Sequence, residues 1–251
     1  MLTQHTLEQL QQLRLRGMAA ALHEQLTTST AQDLSFEDRL ALLVERERTW
    51  RDDRRLQRLL KEARLRLQAS VEDINFRAAR GLERSVVLRL GTAEWVRDHQ
   101  TVLITGPTGV GKTYLACALA QAACRRGLSV RYYRFGRLLG ELAMARADGS
   151  YPKELQRLAR TDLLVLDDWG LAPIADAERR DLLEVLEDRY GQRASLITSQ
   201  LPLEHWHDYI GSPTLADAIL DRLVHGAHKL NLKGASLRKQ AGPSEPDAPT
   251  A

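Results

Sequence analysis

Long apolar runs are the first absence in this sequence. None approaches the ~18 residues that a membrane-spanning helix needs, and no signal peptide is visible at the N-terminus, so no membrane partner is expected. Cysteine is nearly missing too. The two present, Cys117 and Cys124, fall on one face of an expected helix, which makes them small core residues rather than a disulfide or metal pair. That usage fits a reducing cytoplasm. The seven histidines include His205/His207 and His225/His228, yet no cysteine or carboxylate cluster completes a zinc site around them. There is no internal repeat, and the net charge is only +3. The charge is unevenly spread, however. Residues 46–66 carry nine Arg or Lys against four Asp or Glu, a local excess that suits a polyanionic partner. What remains is an ordinary globular composition, 43% hydrophobic and 27% charged, in 251 residues. That length accommodates one α/β domain and a smaller appendage.

One stretch organises the chain. Gly106, Pro107, Thr108, Gly109, Val110, Gly111, Lys112 and Thr113 fit G-x-x-x-x-G-K-[ST], the P-loop. Thr101–Thr105 before it is short, apolar and β-branched, and reads as a buried parallel strand. Tyr114–Arg126 after it is rich in Ala and Leu, is closed by Gly127, and reads as a helix. In that setting the glycines let successive backbone N–H groups converge on phosphate oxygens. Lys112 is expected on the β- and γ-phosphates, Thr113 on Mg²⁺, and Tyr114 at the edge of the same site.

Upstream, Leu7, Leu10, Leu13, Met18, Leu22 and Leu26 predict two short helices broken at Gly17, with Thr6 as the first cap. Residues 27–32 form a polar connector. Ser35 and Asp38 then resemble a capping box opening an amphipathic helix of some thirty residues, with a break expected near 51–53. Phe36, Leu40, Leu43, Val44 and Trp50 belong to its apolar face. Arg51, Arg55, Arg58 and Lys61 belong to an arginine-rich face, which is a candidate DNA contact as well as a plausible solvated surface. Residues 70–100 read as a connector plus a helix over 82–90, with Ile74 or Phe76 as a candidate adenine neighbour.

Downstream, strands are expected at 128–133 and 194–200, helices at 135–147 and 153–160, a helix around 182–186, another at 215–224, and a fifth strand at 228–232. Residues 163–168 (LLVLDD) form the second anchor. An apolar strand ending in acids delivers carboxylates to the strand end beside the P-loop. Asp167 is expected to hold Mg²⁺ with Thr113, and Asp168 to orient the attacking water. A hydroxyl or amide at the end of the next strand can reach a γ-phosphate or that water. Residues from 242 onward are polar and read as a disordered tail.

With these motifs in order, the sequence resembles the AAA+ ATPases, and more closely the IstB-type ATP-binding helpers of insertion sequences, near relatives of the DnaC-type helicase loaders. The resemblance covers residues 1 to about 240. Besides both Walker motifs it rests on LRLRGMAAAL at 13–22, SFEDRLALLVERE at 35–47, ITSQLP at 197–202, LADAILDRL at 215–223 and LNLKGASLR at 230–238. It implies a P-loop α/β fold with a five-stranded parallel sheet between helices, over 70–240. It also implies a small all-α N-terminal domain over 1–69, ahead of a tail at 241–251. The implied function is ATP-dependent oligomerisation on duplex DNA in aid of the same element's transposase. Arg222 matches an arginine finger acting on a neighbour's nucleotide, Ser199 a first sensor with Gln200 beside it, and Arg238 a terminal motif. Arg137, Lys153 and Arg157 occupy an insert that related initiators aim at nucleic acid.

Two departures from the family pattern carry expectations. Asp168 stands where many relatives of this superfamily have glutamate, and a base set back by about 1.5 Å implies slow unstimulated hydrolysis. The few residues after Leu232 cannot build a helical lid, so enclosure by a neighbouring subunit or the N-terminal domain is expected. Other readings are a replicative helicase loader, a small-molecule kinase, and a nucleotide-gated binding protein with negligible turnover.

Overall fold

The computed structural model describes residues 2–28, 33–76 and 80–237. The expected tail, Arg238, and most of the 27–32 connector lie outside the described residues. Five strands form one sheet: β1 (Thr101–Thr105), β2 (Val130–Arg134), β3 (Leu163–Trp169), β4 (Ala194–Ser199) and β5 (His228–Asn231). They run parallel in the order β2-β3-β4-β1-β5. Parallel strands covered on both faces must be apolar throughout, and β4 and the centre of β1 are buried without alternation.

The crossover helices are α6 (Lys112–Arg125), α7 (Phe135–Asp148), α8 (Tyr151–Arg160), α9 (Asp176–Arg189), α10 (Trp206–Ile210) and α11 (Pro213–Val224). Before the sheet come α4 (Arg84–Gly91) and the single turn α5 (Glu94–Arg97). α6 is buried along most of its length because alanine lets it lie close against the sheet. Cys117 and Cys124 are both free and buried there, and burial pushes the Cys124 thiol up to about 12, as befits packing residues. On the other side of the sheet, Trp169 at the end of β3 stacks on Trp206 at 5.0 Å and meets Phe135 at 4.5 Å. Arg189 is buried at the end of α9 and donates to the carbonyls of Leu158, Thr161 and Ala194, tying α8 and β4 together.

By its internal contacts the chain divides into two units, Met1–Arg58 and Leu59–Ala251, so the division falls inside a helix. The first unit holds α1 (Leu2–Gln12), α2 (Arg16–Thr27) and most of α3 (Phe36–Ala63). Four sequence expectations are corrected here. The break between the first two helices precedes Gly17, which sits in the first turn of α2. Its reason is closeness: a Cβ there would lie 2.7 Å from Glu47 Cα. Glu47 takes over the capping, accepting from Gly17 N at 2.7 Å and Met18 N at 3.1 Å, while Arg51 grips its other oxygen at 2.7 Å. Thr6 lies within α1 rather than capping it. α3 is continuous for 28 residues, without the break near 51–53. Phe36, Leu40 and Val44 are exposed, because α2 packs on the α3 face that contains Arg46, Glu47 and Trp50. The Ser35 cap forms as expected, with Asp38 N donating to Ser35 Oγ at 3.1 Å. Among the described residues, no helix is long and apolar enough to cross a membrane.

Candidate nucleotide site

Parallel strands bring their carboxyl ends to one edge, and the loops leaving that edge build the site. β1 delivers Gly106–Gly111 there, and α6 starts directly at Lys112. Gly106 has φ +144, and a Cβ on it would run into the Leu232 carbonyl, so glycine alone fits. Lys112 is buried, and its Nζ donates to the carbonyls of Gly106 at 2.7 Å and Pro107 at 2.8 Å. The ammonium is thereby held against the loop's own backbone. Val110 is buried and its carbonyl accepts from Arg80 Nη1 at 3.2 Å. Thr108 Oγ1 donates to Gln200 Oε1 at 2.6 Å.

β3 brings the acids. Asp167 is fully buried. Thr113 Oγ1 donates to its carboxylate, lying 3.0 and 3.1 Å from the two oxygens, and Asp167 also accepts from the hydroxyls of Tyr132 on β2 and Thr198 on β4. Three neutral hydroxyl donors thus meet on one buried carboxylate. Burial, together with the Asp167 charge, pushes the Tyr132 hydroxyl well above its ordinary value, so it remains a donor. A β-bulge between Leu166 and Trp169 gives Asp168 a left-handed φ of 64, which turns its side chain to a different neighbourhood from that of Asp167. Its Oδ2 pairs with Arg134 Nε at 3.2 Å and lies 3.5 Å from Arg66 Nη1.

These groups open onto a cleft of about 630 Å³, which Tyr114, Asn75, Arg80 and Leu237 also line. Leu237 belongs to a segment that crosses the loop, with Leu232 N donating to Thr105 O at 2.8 Å and Leu237 N to Gly109 O at 2.9 Å. This segment thus supplies part of the cover over the loop. Asp73 and Asn75 line the cleft, whereas Ile74 is buried and neither it nor Phe76 is a lining residue. The donor set also suits a small hard cation. One hydroxyl and one carboxylate oxygen leave room for waters and phosphate oxygens, and among the described residues no cluster of three His, Cys, Asp or Glu forms a closed cage.

Other expected site residues lie apart from this cleft. Ser199 is fully buried, its Oγ donating to Trp169 O at 2.8 Å and accepting from Leu201 N at 2.9 Å, so that hydroxyl serves the turn after β4. Its two neighbours face the site instead, Thr198 on Asp167 and Gln200 on the cleft. Arg222, near the end of α11, bonds Glu187 Oε1 at 2.6 Å and Ala218 O at 2.7 Å. It borders a separate hollow with Thr101 and Ser195, at the amino ends of β1 and β4. On α3, Arg55, Arg58 and Lys61 are exposed, as is Arg51 despite its bond to Glu47. On α7 and α8, Arg137 and Lys153 are exposed, while Arg157 is held by Tyr133 Oη at 2.8 Å and by Glu154. Sequence reasoning missed Arg66, Arg80, Tyr132, Arg134 and Thr198. Arg134 and Thr198 were findable, since both stand at carboxyl ends of strands neighbouring or equivalent to β3 in the sheet.

With this geometry in place, comparison with known proteins is informative. The family model described as IstB-like ATP binding protein matches residues 8–244. An insertion sequence ATP-binding protein of Sinorhizobium fredii is 50% identical over 239 residues, 95% of this chain and 98% of that protein. The insertion sequence IS1162 ATP-binding protein of Pseudomonas fluorescens is 52% identical over 203 residues, 80% of this chain and 88% of that protein. Among solved structures, the DnaC helicase loader superposes with a TM-score of 0.55 at 20% identity, covering 66% of this chain and 97% of that one. That likeness shows a shared fold.

Proposed function

Because this chain belongs to the IstB-like ATP binding protein family, we propose that it is a cytoplasmic ATPase that assembles on duplex DNA when ATP is bound and assists the transposase of its insertion sequence. The contact of Thr113 with Asp167 at 3.0 Å carries the ATPase reading, because it joins the loop to the acid strand as a phosphate–cation site requires. ATP lies with its phosphates on the loop amides and Lys112. Thr113 and Asp167 would hold a Mg²⁺ ion, which would supply positive charge beside the phosphates. Asp168 orients the water that attacks the γ-phosphorus as the bond to the ADP oxygen breaks. Gln200, which lines the cleft, takes the sensor role expected of Ser199.

Asp168 begins paired with Arg134 and near Arg66, so it must turn from these partners to meet the attacking water, which supports slow basal turnover. Arg222 stands away from its own cleft, as an arginine acting on a neighbour's nucleotide must. The exposed basic residues of α3, with Arg137 and Lys153, are the proposed phosphate contacts of DNA. The test is ATP binding and hydrolysis by the wild type and by Lys112→Ala, with and without duplex DNA. Binding that survives Lys112→Ala unchanged overturns the site. A helicase-loader role is the second reading, favoured by the fold shared with the DnaC helicase loader. Pull-downs with a transposase and with a replicative helicase separate the two.

A further inference from the structure

The acid pair is met by a cation that comes from outside the sheet. α3 ends at Ala63, and three residues later Arg66 places Nη1 3.7 Å from Asp167 and 3.5 Å from Asp168. Its placement is built. Arg131 Nη1 on β2 donates to Glu62 O at 3.0 Å, holding the end of α3. Arg64 takes a left-handed φ of 52 that turns the chain, and the backbone N–H groups of Leu67 and Arg66 point at the Cys117 sulfur on α6. The segment is thus docked between the P-loop helix and the second strand.

The charge around Arg66 is not balanced by carboxylates alone. Arg66, Arg80, Lys112 and Arg134 line the cleft against Asp73 and Asp168, an excess of two cations that suits a polyphosphate. Asp168 already has Arg134 Nε at 3.2 Å, and Asp167 already has three hydroxyl donors. The two distances from Arg66 to the acids are long for hydrogen bonds, and the side chain it does bond is the neutral Tyr132 hydroxyl, so its charge is attracted to the acids without being locked by them. A planar guanidinium so placed can turn to a phosphate oxygen without moving its backbone.

We propose that Arg66 is a cis-acting reader of the terminal phosphate, binding the γ-phosphate of a nucleoside triphosphate and leaving the acid pair when it does so. The inference rests on the cleft's binding ATP. It explains how the loss of one phosphate is felt by the chain that continues from α3, because the residue that reads it is joined to that helix by only Arg64 and Leu65. It also removes one of the two arginines beside Asp168 as ATP binds, leaving the carboxylate with Arg134 alone.

The test uses the full chain and measures ATP and ADP affinity by displacement of a fluorescent nucleotide, with Mg²⁺ present. The variants are Arg66→Ala, Arg66→Lys and Lys112→Ala, each checked for wild-type circular dichroism and melting. Arg66→Ala is expected to weaken ATP binding about tenfold, or about 1.4 kcal/mol, and to leave ADP within twofold. Arg66→Lys is expected to fall between, since it keeps the charge and loses the fork. Equal effects of Arg66→Ala on ATP and ADP, or no effect on either, overturn the proposal while wild-type binding and its loss in Lys112→Ala leave the ATP reading intact. A wild type that binds neither nucleotide overturns that reading itself. Amide exchange at 64–67 that changes with ATP and not with ADP supports the proposal, and identical exchange with both contradicts it.

Discussion

Replacing Glu47 with Ala removes the acceptor for the first turn of α2. Its carboxylate takes Gly17 N at 2.7 Å and Met18 N at 3.1 Å, and the residue is only 6% exposed, so water cannot fully replace it. Loss of a charged acceptor of this kind costs about 2–4 kcal/mol for the two bonds together. The partner Arg51 is 58% exposed and adds little. A unit of Met1–Arg58 has a stability on the order of 3–9 kcal/mol at ordinary values per residue, so the loss is a large fraction of it. Hydrogen exchange at the Gly17 and Met18 amides reads this directly, with an expected acceleration of roughly 30- to 700-fold at 1.4 kcal/mol per tenfold. Glu47→Gln keeps an acceptor and is expected to lose about half as much. The pH dependence has a definite sign. Burial raises the Glu47 carboxyl, but Arg51 and the Met18 and Gly17 amides outweigh it and hold the group below its ordinary 4.5. Its contribution is therefore complete above about pH 4.5 and is lost as pH falls through the lower folded value. Exchange at these amides that is unchanged in Glu47→Ala, or that slows on acidification relative to other amides of the unit after correction for intrinsic rates, refutes the reasoning.

Three further outcomes test other parts of the account. Tyr132→Phe leaves the buried Asp167 with one donor fewer, and a melting temperature lower by about 3–8 °C is expected from about 1.5–2 kcal/mol; an unchanged melt contradicts the network. Asp168→Asn is expected to bind ATP within threefold of wild type while its DNA-stimulated turnover falls at least about 100-fold, measured by phosphate release; normal turnover removes the water-orienting role. Arg222→Ala is expected to leave ATP binding by dilute monomer unchanged and to abolish the rise in turnover with protein concentration. Loss of monomer binding instead places Arg222 in a structural role with Glu187.

Elements whose form is dictated locally were legible in the sequence. β1, the glycine loop and α6 were readable because only glycine meets the backbone demands of such a loop, and because an alanine-rich helix announces close packing. β3 was readable because a strand covered on both faces needs an unbroken apolar run before its acids. The buried face of α3 was obscured because its apolar period extends over more residues than its partners cover, and Phe36, Leu40 and Val44 stay exposed. Period alone does not say which side of a helix finds a neighbour. The orientation of Ser199 was not legible for a different reason. A parallel strand exchanges faces at each residue, so one position decides whether a hydroxyl reaches Asp167, as Thr198 does, or supports the turn, as Ser199 does. Arg66 and Arg80 had no local signal at all. They reach the loop and the acids from segments outside the sheet, and only the tertiary fold brings them there.

The central claim is that ATP in this cleft controls assembly on DNA, and sedimentation tests it most directly. Full-length protein would be spun with duplex DNA and either a non-hydrolysable ATP analogue, ADP or no nucleotide, beside Lys112→Ala. The account predicts a large protein–DNA assembly with the ATP analogue alone, absent with ADP and in Lys112→Ala. The same assembly in all conditions, or none in any, would contradict it.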